Sequence, residues 1–527
     1  VIIYKDIDMK NIWLNLRSYF AKNEKRRILA ILFCIIVIGA TFRLYNLGKN
    51  PFIADEFLDM NSAYAFRMTN TWQAWDFNFG QVNSADINNA RDVRAWGYKW
   101  QVAEVFRILA PTEQNARLVS VFWGLVSILL IYGVTASFTK KRSIGLLSAF
   151  LFAISAMGIM FDRKLRMYSM FYPAYMALSW LLFKFYEQKY EGKNKLVQLF
   201  QKYIGANIWY LAPLVVVGLV SLHLQLLTVN IVAAFFGYVL VQTIILIWQE
   251  KKLSWNKYSF ATSAMLIFGA VAIKYFPQYT GIFVASIKFF INNSGYFDKI
   301  LSDYNSPILA VIFLVLGAYY LYRNLGRKKE TVWLLTSLLV PLLMAAFLWR
   351  RTQGIQYVFF IQSFLIILIA TGIYGVGMFF EKHLAGNFAK KAFAVTIFLS
   401  LLLLPRYAYF FEDNTTYHRT DVGDYRKVIQ YVKRNLQKND VVITRNFRNY
   451  YFSGAHVKIF DFGGEAATQK FDETQLQQVI QQNSKGWIVL FDNDIDFMTE
   501  GARQYIEKNL KKVDNSFVRG QADVYYW

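Results

Sequence analysis

The sequence predicts a polytopic α-helical membrane protein of about eleven spans, followed by a small α/β domain outside the bilayer. Three observations predict it. The 527 residues are 55% hydrophobic, 18% aromatic and only 18% charged, where a soluble domain carries about 25% charged residues. Apolar runs recur at the length that a bilayer core requires, roughly 20 residues each. The charge is also uneven. Up to Phe411 there are 42 basic and 19 acidic residues, and after it 16 of each, so the whole excess of +23 lies in the apolar part. An excess placed in that way excludes the nucleic-acid partner that a pI near 9.7 would otherwise suggest. A single cysteine, Cys34, excludes a disulfide framework and a cysteine-ligated zinc site.

The expected spans are Ile28–Tyr45, Leu118–Phe138, Ile144–Phe161, Met167–Tyr186, Ile208–Leu226, Val229–Trp248, Tyr258–Phe276, Ile308–Tyr322, Val332–Trp349, Val358–Phe380 and Ala392–Phe411. With the N-terminus on the cytoplasmic side, the six connecting segments on that side hold 25 Lys and Arg against eight acids. That is the positive-inside bias, and it supports this register of the spans. An odd number of spans then puts the tail outside. The first span follows Lys25-Arg26-Arg27 without a small-residue cleavage site, which reads as an uncleaved signal anchor. The expected location is a bacterial plasma membrane.

Two outer loops are long. Residues 46–117 contain an amphipathic helical stretch, Phe57 to Phe66, then Trp72, Trp75, Phe77, Phe79, Trp96, Tyr98 and Trp100. Aromatic side chains favour the membrane–water boundary, so this loop is expected to lie on the bilayer as interfacial helices. Residues 277–307 form the second. Residues 1–411 thus make a membrane module with its loops, and residues 412–527 a separate domain. In that domain, helices at Asp424–Gln437, Thr474–Gln482 and Phe497–Leu510 alternate with strands at 441–444, 457–460 and 487–491, which implies a largely parallel sheet.

Few residues break these patterns, and those few are the candidates for chemistry. Asp55-Glu56 follows the first span. Two adjacent carboxylates in an apolar setting are costly unless solvated or paired. They read either as a helix start, with Asp55 the N-cap and Glu56 in the first turn, or with Asp55 as a general base. The turn Asp162-Arg163-Lys164-Leu165-Arg166 places three cations on the side where the charge rule expects few. They either snorkel to lipid headgroups or clamp an anion. Arg350-Arg351 is equally out of place, and Gln356 and Tyr357 follow it. Arg117 caps the second span, and Lys274 lies near the outer end of the seventh. His223, near the outer end of the fifth span, reads first as a packing residue. The two sequons, Asn292-Asn293-Ser294 and Asn414-Thr415-Thr416, matter only in a host that glycosylates, and Asp461-Phe462-Gly463-Gly464, without a partner motif, reads as a turn. The chain lacks a P-loop, a dinucleotide fingerprint and a His-Glu-x-x-His motif.

The order of these parts resembles the GT-C membrane glycosyltransferases: a first span, a long outer loop opening with Asp55-Glu56, then Asn115-Ala116-Arg117-Leu118-Val119-Ser120 entering the second span. The resemblance is to the protein O-mannosyltransferase and aminoarabinose transferase branch. Arg166-Met167-Tyr168 matches the turn that its bacterial members carry after the third span, and His223 resembles their histidine near the fifth. Gln356-Tyr357 departs from the Arg-Tyr that is common at the entry to a late span, and two further stretches depart from the pattern. Arg94-Ala95-Trp96-Gly97-Tyr98 stands where a His-Pro-Pro-Leu type stretch is usual, and Arg163-Lys164-Leu165 where Gln-Glu-Ala is.

The resemblance implies an inverting transfer of a sugar from a polyprenyl-phosphate donor to a hydroxyl of a protein, lipid or glycan acceptor. Asp55 is then the base, with Glu56 beside it. Arg117, Arg163, Arg166, Lys274, Arg350 and Arg351 are phosphate cations, and Tyr168, His223, Gln356 and Tyr357 line the pocket. A second acid comes from Asp162, Asp86 or Glu104. No cofactor is implied. No dedicated metal-ligand cluster is visible, although adjacent carboxylates leave a divalent cation open. A transporter or flippase of a lipid-linked or anionic substrate is the rival reading. It fits less well, because such proteins show midplane charges and paired halves. A non-catalytic scaffold would explain the tail but not the one-sided cations.

Overall fold

The computed structural model describes residues 24–83, 88–252, 254–278, 280–281, 292–349, 354–413, 415–418, 425–462, 470–491, 494–514 and 522–527. They form two compact units. One comprises Val1–Arg43, Trp123–Ile159 and Tyr168–Arg406; the other comprises Leu44–Phe122, Met160–Met167 and Tyr407–Trp527.

The first unit is helical. Among the described residues, seven helices are long and apolar enough to cross a membrane, and nine if each of two bent pairs is one span. The chain is an integral membrane protein, but the expected count of eleven is not confirmed. The remaining two runs are helices, Tyr168–Glu187 and Asn387–Leu403. The first carries four tyrosines and the second is 17 residues long. The expected span Ile144–Phe161 is broken into Arg142–Ala153 and Ala156–Asp162, which meet at 62°. The break has a polar cause. Asp303 accepts from the Met157 N–H at 2.6 Å and the Ser155 hydroxyl at 2.6 Å, and the Gly158 N–H donates to Ser155 Oγ at 2.8 Å. The start of the second helix is thus satisfied from outside instead of by the preceding turn. Before the helix Leu211–Leu224 lies a short helix, Lys195–Ile204, whose apolar residues Leu196, Leu199, Phe200 and Tyr203 share one exposed face.

Phe359–His383 is the central span, with 72% of its apolar window buried, against 17% for Lys257–Tyr275. It crosses the helix Pro307–Tyr319 at two glycines. A Cβ added to Gly317 would meet the Leu368 carbonyl oxygen at 1.9 Å, and one added to Gly372 would meet that of Phe313 at 2.0 Å. Small residues at such crossings let backbones approach closely. Replacing Gly372 by Val therefore forces the two helices apart. It should cost roughly 1–3 kcal/mol or more, as overpacking does, read as a lowered thermal midpoint in detergent. An unchanged midpoint would contradict the crossing.

The second unit contains the long loop after the first span and the C-terminal tail. The loop forms the helix Ala54–Thr69, a two-residue hairpin pairing Trp75 with Val82, and the helix Trp96–Ile108. Ala54–Thr69 does not merely lie on a surface, as the amphipathic stretch suggested: Glu56, Phe57, Asp59, Met60, Asn61, Ser62, Ala63 and Ala65 are all buried. The tail is an α/β domain with a five-stranded sheet in the spatial order Lys458–Phe460, Val441–Ile443, Gly486–Phe491, Ala522–Tyr526, Lys511–Lys512. The first three strands run parallel, and Ala522–Tyr526 is antiparallel to both its neighbours, Gly486–Phe491 and Lys511–Lys512, so the side missing from the sequence reading is the one with antiparallel pairing. Alternate residues of the central strand face opposite cores. Trp487, Val489 and Phe491 pack with Tyr425, Val428 and Val432, while Ile488 and Leu490 pack with Leu476, Ala502 and Ile506.

Loop and tail are tied together within this unit. Asn78 exchanges hydrogen bonds with the Val457 backbone. Asn449 accepts from the Phe77 N–H at 2.6 Å and donates to Asp76 at 2.8 Å. Tyr451 accepts from the Phe52 N–H at 2.7 Å and donates to Glu113 at 2.9 Å.

Candidate active site

The helix Ala54–Thr69 begins two residues earlier than the sequence suggested. Ile53 is the N-cap, and both Asp55 and Glu56 lie in the first turn. Negative charge is favourable there, and Glu56 also reaches back to accept from the Ile53 N–H at 3.3 Å. Two adjacent positions on a helix face different directions, about 100° apart. The two carboxylates consequently meet different arginines and acquire different properties.

Glu56 is sealed. Its side chain is 2% exposed and that of Arg117 4%. Arg117 Nε and Nη2 each donate to it at 2.8 Å, and the Leu165 N–H donates at 2.7 Å. The remaining Arg117 donors go to the carbonyls of Leu47 at 2.8 Å, Asn50 at 3.0 Å and Pro51 at 3.2 Å. All five N–H groups of this guanidinium have acceptors. Burial alone would raise the Glu56 carboxyl, but Arg117 and the Leu165 and Ile53 N–H groups together hold it below its ordinary value.

Asp55 is open, with a side chain 41% exposed. Arg166 Nη2 lies 3.0 Å from its Oδ2, and Arg166 Nη1 donates to the Asp55 carbonyl at 2.9 Å. The same Nη1 lies 3.1 Å from Asp59 Oδ2. Asp59 stands one helical turn beyond Asp55 on the same face, and its side chain is 12% exposed. Burial raises the Asp59 carboxyl above its ordinary value, only partly offset by Arg166, Lys99 and Arg94. Lys99 is buried, donates to the Asp92 carbonyl and lies 5.5 Å from the Trp72 ring centre. Burial pulls its ammonium down to about 8, against the attraction of Asp59 and Asp92.

The sequence candidates divide accordingly. Asp55, Glu56, Arg117 and Arg166 converge on the start of one helix. Arg163 belongs to the same unit. It donates to the carbonyls of Tyr45 at 2.5 Å and Asn46 at 3.4 Å, and lies 4.9 Å from the Tyr417 ring centre. Asp162 is buried at the end of its helix. Glu104 forms an i,i+3 pair with Arg107 at 3.5 Å on the surface. Tyr168, His223, Lys274, Gln356 and Tyr357 belong to the first unit; Tyr168 is buried, whereas His223 and Lys274 are exposed. Asp86, Arg350 and Arg351 lie outside the described residues, as do Asn414 and Gly463-Gly464. Asp59, Lys99, Arg94 and Asp92 were not singled out from the sequence. The i, i+4 spacing of Asp55 and Asp59 was the available signal.

Among the described residues no three His, Cys, Asp or Glu side chains converge as a metal site. The carboxylates here are compensated by arginine: Glu56 takes Arg117, and Asp55 and Asp59 share Arg166. This donor set does not fit a divalent ion, which would have to displace both guanidinium groups.

No family model matches the chain, and neither does any curated protein sequence. Solved structures do. The archaeal oligosaccharyltransferase AglB from Archaeoglobus fulgidus, in complex with an inhibitory peptide and a dolichol-phosphate, superposes with a TM-score of 0.56 at 10% identity, over 88% of this chain and 69% of that one. The apo form of the Archaeoglobus fulgidus oligosaccharyltransferase gives 0.54 at 10% identity, over 88% and 69%. ArnT from Cupriavidus metallidurans, bound to undecaprenyl phosphate, gives 0.48 at 11% identity, over 95% and 97%. The chain has the GT-C fold of membrane glycosyltransferases.

Proposed function

We propose that this protein is an inverting glycosyltransferase that moves a sugar from a polyprenyl-phosphate donor to an acceptor hydroxyl on a protein, lipid or glycan. The reaction takes place on the extracytoplasmic side, where residues 46–117 and the domain 412–527 lie. The observation that carries this reading is the division of labour between two adjacent carboxylates. Glu56 is locked into the frame by Arg117, whereas Asp55 is held by Arg166 yet open. An oriented, accessible carboxylate is what a general base requires. The fold supports the same reading, and so does the dolichol-phosphate in complex with the superposed AglB.

In the reaction, the acceptor oxygen attacks the anomeric carbon and its proton passes to Asp55. The bond from that carbon to the phosphate oxygen breaks, and the electron pair leaves with the lipid phosphate. In-line displacement inverts the anomeric centre. Cations stabilise the leaving charge. Arg94, exposed and near Asp59, joins Arg163 and Arg166 in that set. Arg117, with every donor committed, frames the site instead.

Mass spectrometry of lipid co-purified with the protein tests the reading. The expected result is a polyprenyl-phosphate sugar, followed by transfer from that lipid to an acceptor in detergent. Transport of a substrate in proteoliposomes without an acceptor, and with no sugar transfer, would overturn it in favour of a transporter.

A further inference from the structure

Arg166 serves two carboxylates with one charge. Its Nη2 lies 3.0 Å from Asp55 and its Nη1 3.1 Å from Asp59, so these three groups carry a net −1 when both acids are ionised. The groups around Asp59 from each packed element are Arg166 on the turn, Lys99 and Tyr98 on the helix Trp96–Ile108, Arg94 and Asp92 just before it, and Asp55 on its own helix. Taken together, the three cations Arg94, Lys99 and Arg166 balance the three acids Asp55, Asp59 and Asp92. A phosphate arriving here adds an uncompensated negative charge beside a guanidinium that is already divided. Of the carboxyl groups around that guanidinium, Asp59 is the one least suited to remain ionised, because burial already disfavours its charged form.

We propose that a lipid-borne phosphate binds at this site together with one proton, which Asp59 takes up, so that Arg166 turns an N–H from Asp59 to the phosphate while keeping Asp55 oriented. This rests on the glycosyltransferase reading and adds the coupling. Asp59 is a positioning residue that releases Arg166 only when an anion arrives. The proton comes from solvent and stays on an Asp59 oxygen as the neutral acid. Asp55 remains ionised and able to receive the acceptor's proton.

The test is calorimetry on the full chain in detergent micelles. The probe is the methyl phosphodiester of undecaprenol, whose single charge does not titrate near neutrality. Binding heats measured at pH 7 in buffers of different ionisation enthalpy report the protons exchanged. Wild type should take up about one proton per phosphate, and its affinity should fall about tenfold per pH unit wherever uptake is complete. Asp59→Asn keeps an oxygen facing Arg166 and should bind with no uptake. Lys99→Gln should retain the uptake, because Lys99 is already charged at pH 7. Should Asp59→Asn fail to fold, the wild-type affinity slope decides alone. Binding without dependence on buffer or pH, or uptake lost in Lys99→Gln but retained in Asp59→Asn, overturns the coupling and leaves the transferase reading standing. A wild-type protein that does not bind the phosphodiester refutes the phosphate site itself, and the coupling with it.

Discussion

Replacing Asp55 by Asn is expected to lower sugar transfer by roughly 10²–10⁴-fold, the usual worth of a general base, while the protein still folds and inserts. The asymmetry between rate and stability follows from the geometry. The Asp55 side chain is 41% exposed, so its ion pair with Arg166 contributes little to folding after solvent screening. An amide keeps an oxygen toward Arg166 and approximates the shape of the carboxylate, but it cannot accept the proton of the attacking hydroxyl. Asp55→Glu, which restores the charge at the end of a longer side chain, should recover part of the rate. The measurement is product formation from the co-purified lipid donor, with thermal unfolding recorded on the same samples. Transfer at the wild-type rate by folded Asp55→Asn would remove Asp55 from the mechanism. Equal losses in rate and thermal midpoint would make it a structural residue.

The Asp55-Glu56 pair was legible because adjacent acids at the end of an apolar run are costly and so stand out. Their separate roles were not, because the partners that separate them are distant in the chain: Arg117 lies 61 residues beyond Glu56 and Arg166 107 residues beyond Asp59. Pattern reading sees spacing along one helix, which would have sufficed for Asp59 at i+4 from Asp55. It does not show which guanidinium reaches which face. The broken span has the same origin. Residues 144–161 read as one apolar run, and the Asp303 carboxylate that divides it comes from a residue 148 positions from Ser155. Spans and parallel strands were legible because each is specified by local hydrophobic periodicity. The antiparallel strand Ala522–Tyr526 was not, because its five residues are a short run that alternates only weakly. Its register comes instead from pairing with Gly486–Phe491.

Removing either member of the Glu56–Arg117 pair should cost about 3–5 kcal/mol, because the survivor becomes a buried, uncompensated charge. Glu56→Gln leaves Arg117 facing a neutral amide, and Arg117→Met leaves Glu56 without its counter-ion in a site that is 2% exposed, so that it must either stay charged or take up a proton at a cost. The Arg117 loss should be the larger, since this side chain also satisfies the carbonyls of Leu47, Asn50 and Pro51 where the chain leaves the first span. Arg117→Lys is not conservative here. A lysine offers three donors from one nitrogen, whereas the site uses five in a planar fork. The double variant Glu56→Gln/Arg117→Met should recover part of the loss, because no charge remains buried. The acid side of the stability profile tests the same pair. Glu56 is held below its ordinary value in the folded protein, so its contribution is complete above the unfolded carboxyl pKa and is lost as pH falls through the folded one. The acid unfolding limb should therefore flatten in Glu56→Gln. Thermal and acid unfolding of wild type and the four variants in detergent decide the matter. Arg117→Lys melting with wild type would show that the fork is dispensable, and the start of the Asp55 helix would then have to be held by something other than this guanidinium.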